Sequence, residues 1–167
     1  MYTTVDGFLQ EYEHESSETI KVLKALTDKS LAQPVAHDHR TLGKIAWHLA
    51  VTYPEMGTQA GITIASLAKD APAPHSAATV VSAYEGVRNE LIDFVRKNWK
   101  DADLTEVKNF YGFDWPVGLA MSILVRHEIH HRGQMTVLMR QAGLKVPGVY
   151  GPSKDEWAGM GMQPPEE

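Results

Sequence analysis

Three of the chain's eight histidines fall within His127-Glu128-Ile129-His130-His131, which runs on into Arg132, Gly133 and Gln134. Imidazole nitrogens are ligands for divalent transition metals, and a pair spaced i, i+4 on a helix can close on one ion. The surrounding periodicity predicts that helix. Ala120, Leu124, His127, His131, Leu138 and Ala142 recur at three-, four- and seven-residue spacings, with Arg126, Thr136 and Arg140 on the far side. At about 100° and 1.5 Å per residue, His127 and His131 stand about 40° apart around the axis and roughly 6 Å apart along it. His130 points about 60° from His127 and about 100° from His131, at the margin of the stripe. A neutral imidazole in an apolar seam needs partners for its nitrogens or carries a penalty of kcal/mol size. One shared metal satisfies both rings; the alternative is a pair of core histidines bonded to nearby carbonyls or carboxylates.

A two-histidine site is incomplete, because catalytic zinc usually takes three protein ligands and keeps an exchangeable position. The best third candidate is His48, which flanks a second helical stripe of Leu42, Ile45, Ala46, Leu49 and Tyr53. His130 and Glu128 compete with it, and His48 could instead be a boundary residue packed beside Trp47. His14, His37, His39 and His75 lie in polar or loop-like surroundings, where a solvated histidine is the default. The segment also matches His-Glu-x-x-His, with Glu128 as a metalloprotease general base. Against a protease stand the lack of a convincing upstream strand and the absence of a downstream histidine in Gly133-Gln134-Met135-Thr136-Val137. Glu128, about 60° around the helix from His131, remains a candidate catalytic base beside the alternative of a solvated helix-face carboxylate. Arg132 is expected at a surface or interface. Gln134 returns to the site face, where it could orient a histidine or pack at a helix crossing.

The elements that must position these residues read as four amphipathic helices, at about Thr4–Thr27, Thr41–Glu55, Ala77–Asn98 and Pro116–Gly143. The third carries Val80, Tyr84, Val87, Leu91, Phe94 and Val95 as its stripe. Aromatic residues around Gly112, in Leu104–Trp115, suggest a small hairpin or ordered loop between helices three and four. Prolines and glycines over residues 144–167 predict an irregular tail, which Tyr150 and Trp157 could pin to the bundle. The consistent architecture is all-α, one domain over residues 1–167, an antiparallel four-helix bundle of the kind that holds metals between facing helices.

Composition narrows the function classes. The 167 residues suffice for one real core, and 43% hydrophobic with 22% charged residues is ordinary for a globular protein. A net charge of −5 offers no broad basic surface, so neither nucleic acid nor an anionic membrane is expected as a partner. With no cysteine, disulfides and a protein thiol nucleophile are excluded, and any thiol chemistry needs an exogenous thiol. The amino terminus lacks a basic segment followed by an apolar run, which makes the cytoplasm the expected compartment.

On Trp47-His48-Leu49 and on His127-x-x-His130-His131-Arg132-Gly133-Gln134, with the helix pattern in support, the chain resembles the DinB/YfiT-like family of four-helix-bundle metalloproteins. The resemblance implies that His48, His127 and His131 hold one divalent ion, zinc or nickel, with solvent completing the site and His130 as an adjacent polar residue. It also implies a homodimer, and a chemistry drawn from metal-dependent hydrolases and from transferases that use low-molecular-weight thiols. The leading expectation is therefore a metal-dependent enzyme acting on a small molecule, with metal-bound water or an exogenous thiol as nucleophile. The other class is a non-catalytic metal-binding or stress-responsive interaction protein.

Overall fold

The computed structural model describes residues 1–165, so Glu166 and Glu167 at the end of the expected tail lie outside the described residues. Its helices are α1 (Val5–Lys24), α2 (Leu42–Ala60), α3 (Ala77–Asn98) and α4 (Val117–Gln141). Three of them start where a side chain can satisfy an orphan backbone amide: the hydroxyls of Thr4, Thr41 and Ser76 accept from the amides of Gly7, Lys44 and Thr79. Two of them end in left-handed glycines. Gly61 (φ 85°) and Gly143 (φ 74°) turn the chain so that the amides of Ile62 and Leu144 reach back to the carbonyls of Gly57 and Met139. α2 passes through Pro54 and runs five residues beyond the expected Glu55. α1 ends at Lys24, three residues short of the expected Thr27, and the stretch before α2 contains a 3₁₀ turn at Lys29–Ala32 and a bridge between Pro34 and Thr41.

Between α3 and α4 the expected hairpin is present, β1 (Val107–Phe110) pairing antiparallel with β2 (Phe113–Pro116). Its two-residue turn, Tyr111 and Gly112, has φ of 54° and 87°, the doubly positive geometry that matches the twist of the flanking strands. The Tyr111 amide is held by the Gln59 side chain at 2.9 Å, which fixes the hairpin tip over α2.

In the bundle, α1 and α2 each pack against both α3 and α4. Helices consecutive in sequence, α1 with α2 and α3 with α4, therefore stand across the diagonals, and α2 faces α4 along one seam. The core threads all four helices through Phe8, Leu49, Tyr53, Val87, Leu91 and Val125, each essentially excluded from solvent. Burial of this apolar surface is the main drive toward the fold. At the start of α4 a close approach replaces side-chain packing: a Cβ on Gly118 would lie 2.1 Å from the Tyr2 carbonyl.

The phase of α4 departs from the sequence expectation. Its buried face runs Met121, Val125, Glu128, Arg132, Met135 and Met139, centred one residue away from the histidines. Glu128 is 1% exposed and Arg132 2%, so neither the solvated carboxylate nor the surface arginine expected from sequence is found. Thr19 and Tyr84 donate hydroxyl hydrogen bonds to Glu128 at 2.6 and 2.5 Å, and Tyr53 donates a third. Arg132 meets the Glu15 carboxylate at 2.5 Å and the Glu15 carbonyl at 2.7 Å. Tyr150, in the tail, joins this pair at 2.7 Å from the guanidinium, as its expected pinning role requires. Two charged residues at the heart of a buried face conceal it from a reading based on hydropathy, and the apparent stripe shifts toward the flanking histidines.

Candidate metal centre

The shifted phase leaves His127 and His131 half-buried at the edge of α4 that faces α2, where His48 meets them. The His48 ring centroid lies 4.9 Å from each of the other two, which are 4.4 Å apart, all in edge-to-face orientation. One ligating nitrogen from each residue falls within 4.8 Å of the others, and among the described residues this trio is the cluster with the donor set for a metal. Nitrogens sharing one tetrahedral ion stand about 3.3 Å apart, so the set fits a divalent ion with small ring rotations. His48 and His127 point the same nitrogen, Nε2, at one another across 3.0 Å. Two identical ring nitrogens face to face form a hydrogen bond only if one is protonated, whereas a shared cation requires neither to be.

Gln134 fixes the tautomer of His131. Its Oε1 lies 2.7 Å from His131 Nδ1, and because an amide oxygen only accepts, the ring proton resides on Nδ1 and leaves Nε2 bare. The Gln134 amide nitrogen lies 3.0 Å from His130 Nε2 and donates to it. His130 is exposed and tied to His131 through Gln134, outside the converging trio. The structure thus brings His48, His127 and His131 together and sets Gln134 between His131 and His130.

Burial holds the trio neutral. It pushes His48 down to about 4, helped by His131 and Arg40. It pushes His127 down to about 4 as well, with His131, His48, His130 and Arg40 adding to the effect. His131 is also lowered, chiefly by burial and against the opposing hydrogen bond to Gln134. Neutral imidazoles offer lone pairs, the state a metal requires.

Two cavities border these histidines. One, of ≈ 480 Å³, is lined by His131, Gln134 and Arg40 and by walls that include Ile45 and Val137. The second, of ≈ 230 Å³, lies on the His48 and His127 side, under the hairpin residues Tyr111 and Trp115 and beside Glu55. The Tyr111 hydroxyl is pushed up to about 12, by burial first and by the Glu55 carboxylate second. Sequence reasoning did not single out Arg40, Glu55 or Tyr111 as site residues. Arg40 lies in a loop and Glu55 seven residues beyond His48 on α2, so no local pattern links either to the α4 histidines. Glu128 lines neither cavity; burial raises its carboxyl above the usual range while its three hydroxyl donors oppose that shift.

A four-helix bundle with a histidine trio at an α2–α4 seam defines a class of metalloprotein-like scaffold. The chain belongs to the DinB family, whose model matches residues 1–167. It is 42% identical over 166 residues to the uncharacterised protein YrdA of Bacillus subtilis, covering 99% of each chain. A DinB-like protein from Bacillus cereus superposes with a TM-score of 0.86 at 44% identity, over 90% of this chain and 100% of that one. YfiT from Bacillus subtilis, described as a probable metal-dependent hydrolase with an unusual four-helix bundle topology, shares the fold at a TM-score of 0.68 and 14% identity. That match covers 84% of this chain and 89% of YfiT. No helix among the described residues is long and apolar enough to cross a membrane.

Proposed function

We propose that the protein is an enzyme acting on a small molecule with one divalent transition metal, zinc or nickel, held by His48, His127 and His131. The observation that carries this reading is a trio of neutral histidines, with no fourth side chain in the cluster among the described residues, bordered by two cavities. Three protein ligands and an exchangeable position are the pattern of catalytic rather than structural zinc. When bound, such an ion lowers the pKa of a coordinated water or thiol enough to supply a nucleophile near neutral pH.

The chain's own residues then have separate tasks. Gln134 keeps His131 in the tautomer that presents Nε2. Glu55, beside Tyr111, faces the smaller cavity as the acid–base group, a role for which Glu128 is too deeply enclosed. Trp115 and the hairpin tip cover that cavity and limit its access to water. Hydrolysis of an ester or amide and transfer of an exogenous small thiol both suit this arrangement, since neither uses a protein thiol. The description of YfiT supports the hydrolase.

Elemental analysis of the purified protein tests the ion, with about one transition metal per chain expected. Cobalt-substituted protein should change its visible spectrum when a hydroxamate or small thiol is added. Ester and amide hydrolysis, screened with and without thiol, then separates the two reactions, and either activity should vanish in His48→Ala. A bound ion whose spectrum no added ligand moves would defeat the catalytic reading and leave a metal that ties α2 to α4.

A further inference from the structure

The larger cavity carries chemistry of its own. At ≈ 480 Å³ it is of a size that admits a small organic ligand. Its walls are aliphatic, formed by Val35, Ile45, Val137 and Leu138, and two of these are left open to solvent, Val35 at 48% and Val137 at 55% exposure. Among its lining residues is Arg40, whose guanidinium has no hydrogen bond or ion pair among the described residues. His131 and Gln134 also line it. Among the described residues no acidic side chain lines this space.

An arginine near three imidazoles, in a chain of net charge −5, is a positive spot that no carboxylate among the described lining residues balances. A dication at the histidines would sharpen the imbalance. Electrostatic complementarity therefore requires the occupant to bring the negative charge, and the apolar walls require it to bring a hydrocarbon body. The guanidinium fork matches a planar carboxylate through two parallel hydrogen bonds, which an alcohol or an amine cannot reproduce.

We propose that this cavity binds a small carboxylate-bearing molecule, its carboxylate on Arg40 and its apolar body along Val35 and Val137. The proposal deepens the metal-enzyme reading by naming a substrate class, and it can fail separately from it. The test uses 4-phenylbutyrate and 4-phenylbutanol, titrated into the full-length protein in metal-free and zinc-loaded forms and followed by amide and methyl NMR shifts.

In the metal-free protein the carboxylate should bind about tenfold or more tightly than the alcohol, as one charge-assisted pair predicts. Shifts should concentrate at Val35, Arg40 and Val137. Arg40→Ala should shrink the preference to less than about twofold, Arg40→Lys should keep part of it, and Val137→Trp should weaken both ligands by filling the cavity. Arg40 is on an exposed loop, and an otherwise unchanged spectrum would show that its variants fold. Equal affinities in the wild type, or a preference that survives Arg40→Ala, would overturn the proposal. So would a Val137→Asp variant that turns a dimer into a monomer while the wild type binds neither probe, because a second copy would then occupy this face. Failure of zinc to bind, with the carboxylate preference intact, would remove the metal reading and leave this one.

Discussion

Replacing Arg132 by Met tests the claim that α4 is anchored through charges in its buried face. The guanidinium contacts the carboxylate and carbonyl of Glu15, the Thr19 hydroxyl at 3.3 Å and the Tyr150 hydroxyl. Methionine keeps the apolar stem and removes every one of these donors, leaving the buried Glu15 carboxylate with Tyr150 as its remaining partner, at 2.6 Å. Breaking a buried pair from one side costs about 3–5 kcal/mol, whereas replacing both partners by well-packed apolar groups is often neutral. Against a total stability of about 5–15 kcal/mol, that loss is a third or more of a mid-range value. For a chain of this size it lowers the melting temperature by roughly 6–20 °C. Urea unfolding of Arg132→Met, Glu15→Leu and the double variant gives the coupling directly. Each single change should be strongly destabilising, and the double variant should recover most of the loss of Arg132→Met. A single-variant cost below about 1 kcal/mol, or strict additivity, would refute the reasoning.

Four further outcomes are expected. His48→Ala, His127→Ala and His131→Ala should each abolish most metal binding by elemental analysis while His130→Ala keeps it, because only the first three converge. Gln134→Leu should weaken metal affinity by about 10–100-fold in a chelator competition, by releasing the His131 tautomer. With His48 and His127 at about 4 in the folded chain and near the usual ~6.5 when unfolded, the unfolded chain binds more protons between those values. Stability of the metal-free protein should therefore be level above about pH 7 and fall as pH drops toward 4, with urea midpoints at several pH values as the check. Gly118→Ala should destabilise by more than about 1 kcal/mol in the same assay, since its Cβ would displace the Tyr2 backbone.

The sequence by itself determined the features that depend on near neighbours in the chain. Helical periodicity placed α3 at Ala77–Asn98, and the aromatic run around Gly112 marked the hairpin. The four-residue spacing put His127 and His131 on one side of α4, because the pitch of a helix is a property of its backbone. Only the tertiary structure decided which face of α4 is buried. Glu128 and Arg132 are charged, and nothing local reveals that Thr19, Tyr53 and Tyr84 meet the one while Glu15 meets the other. The same holds for the site. The diagonal arrangement of consecutive helices brings α2 against α4, which sets His48 beside the α4 pair and leaves Arg40 and Glu55 on opposite cavities. Contacts between residues far apart in the chain are selected by how whole faces pack together, and local spacing carries no record of that choice.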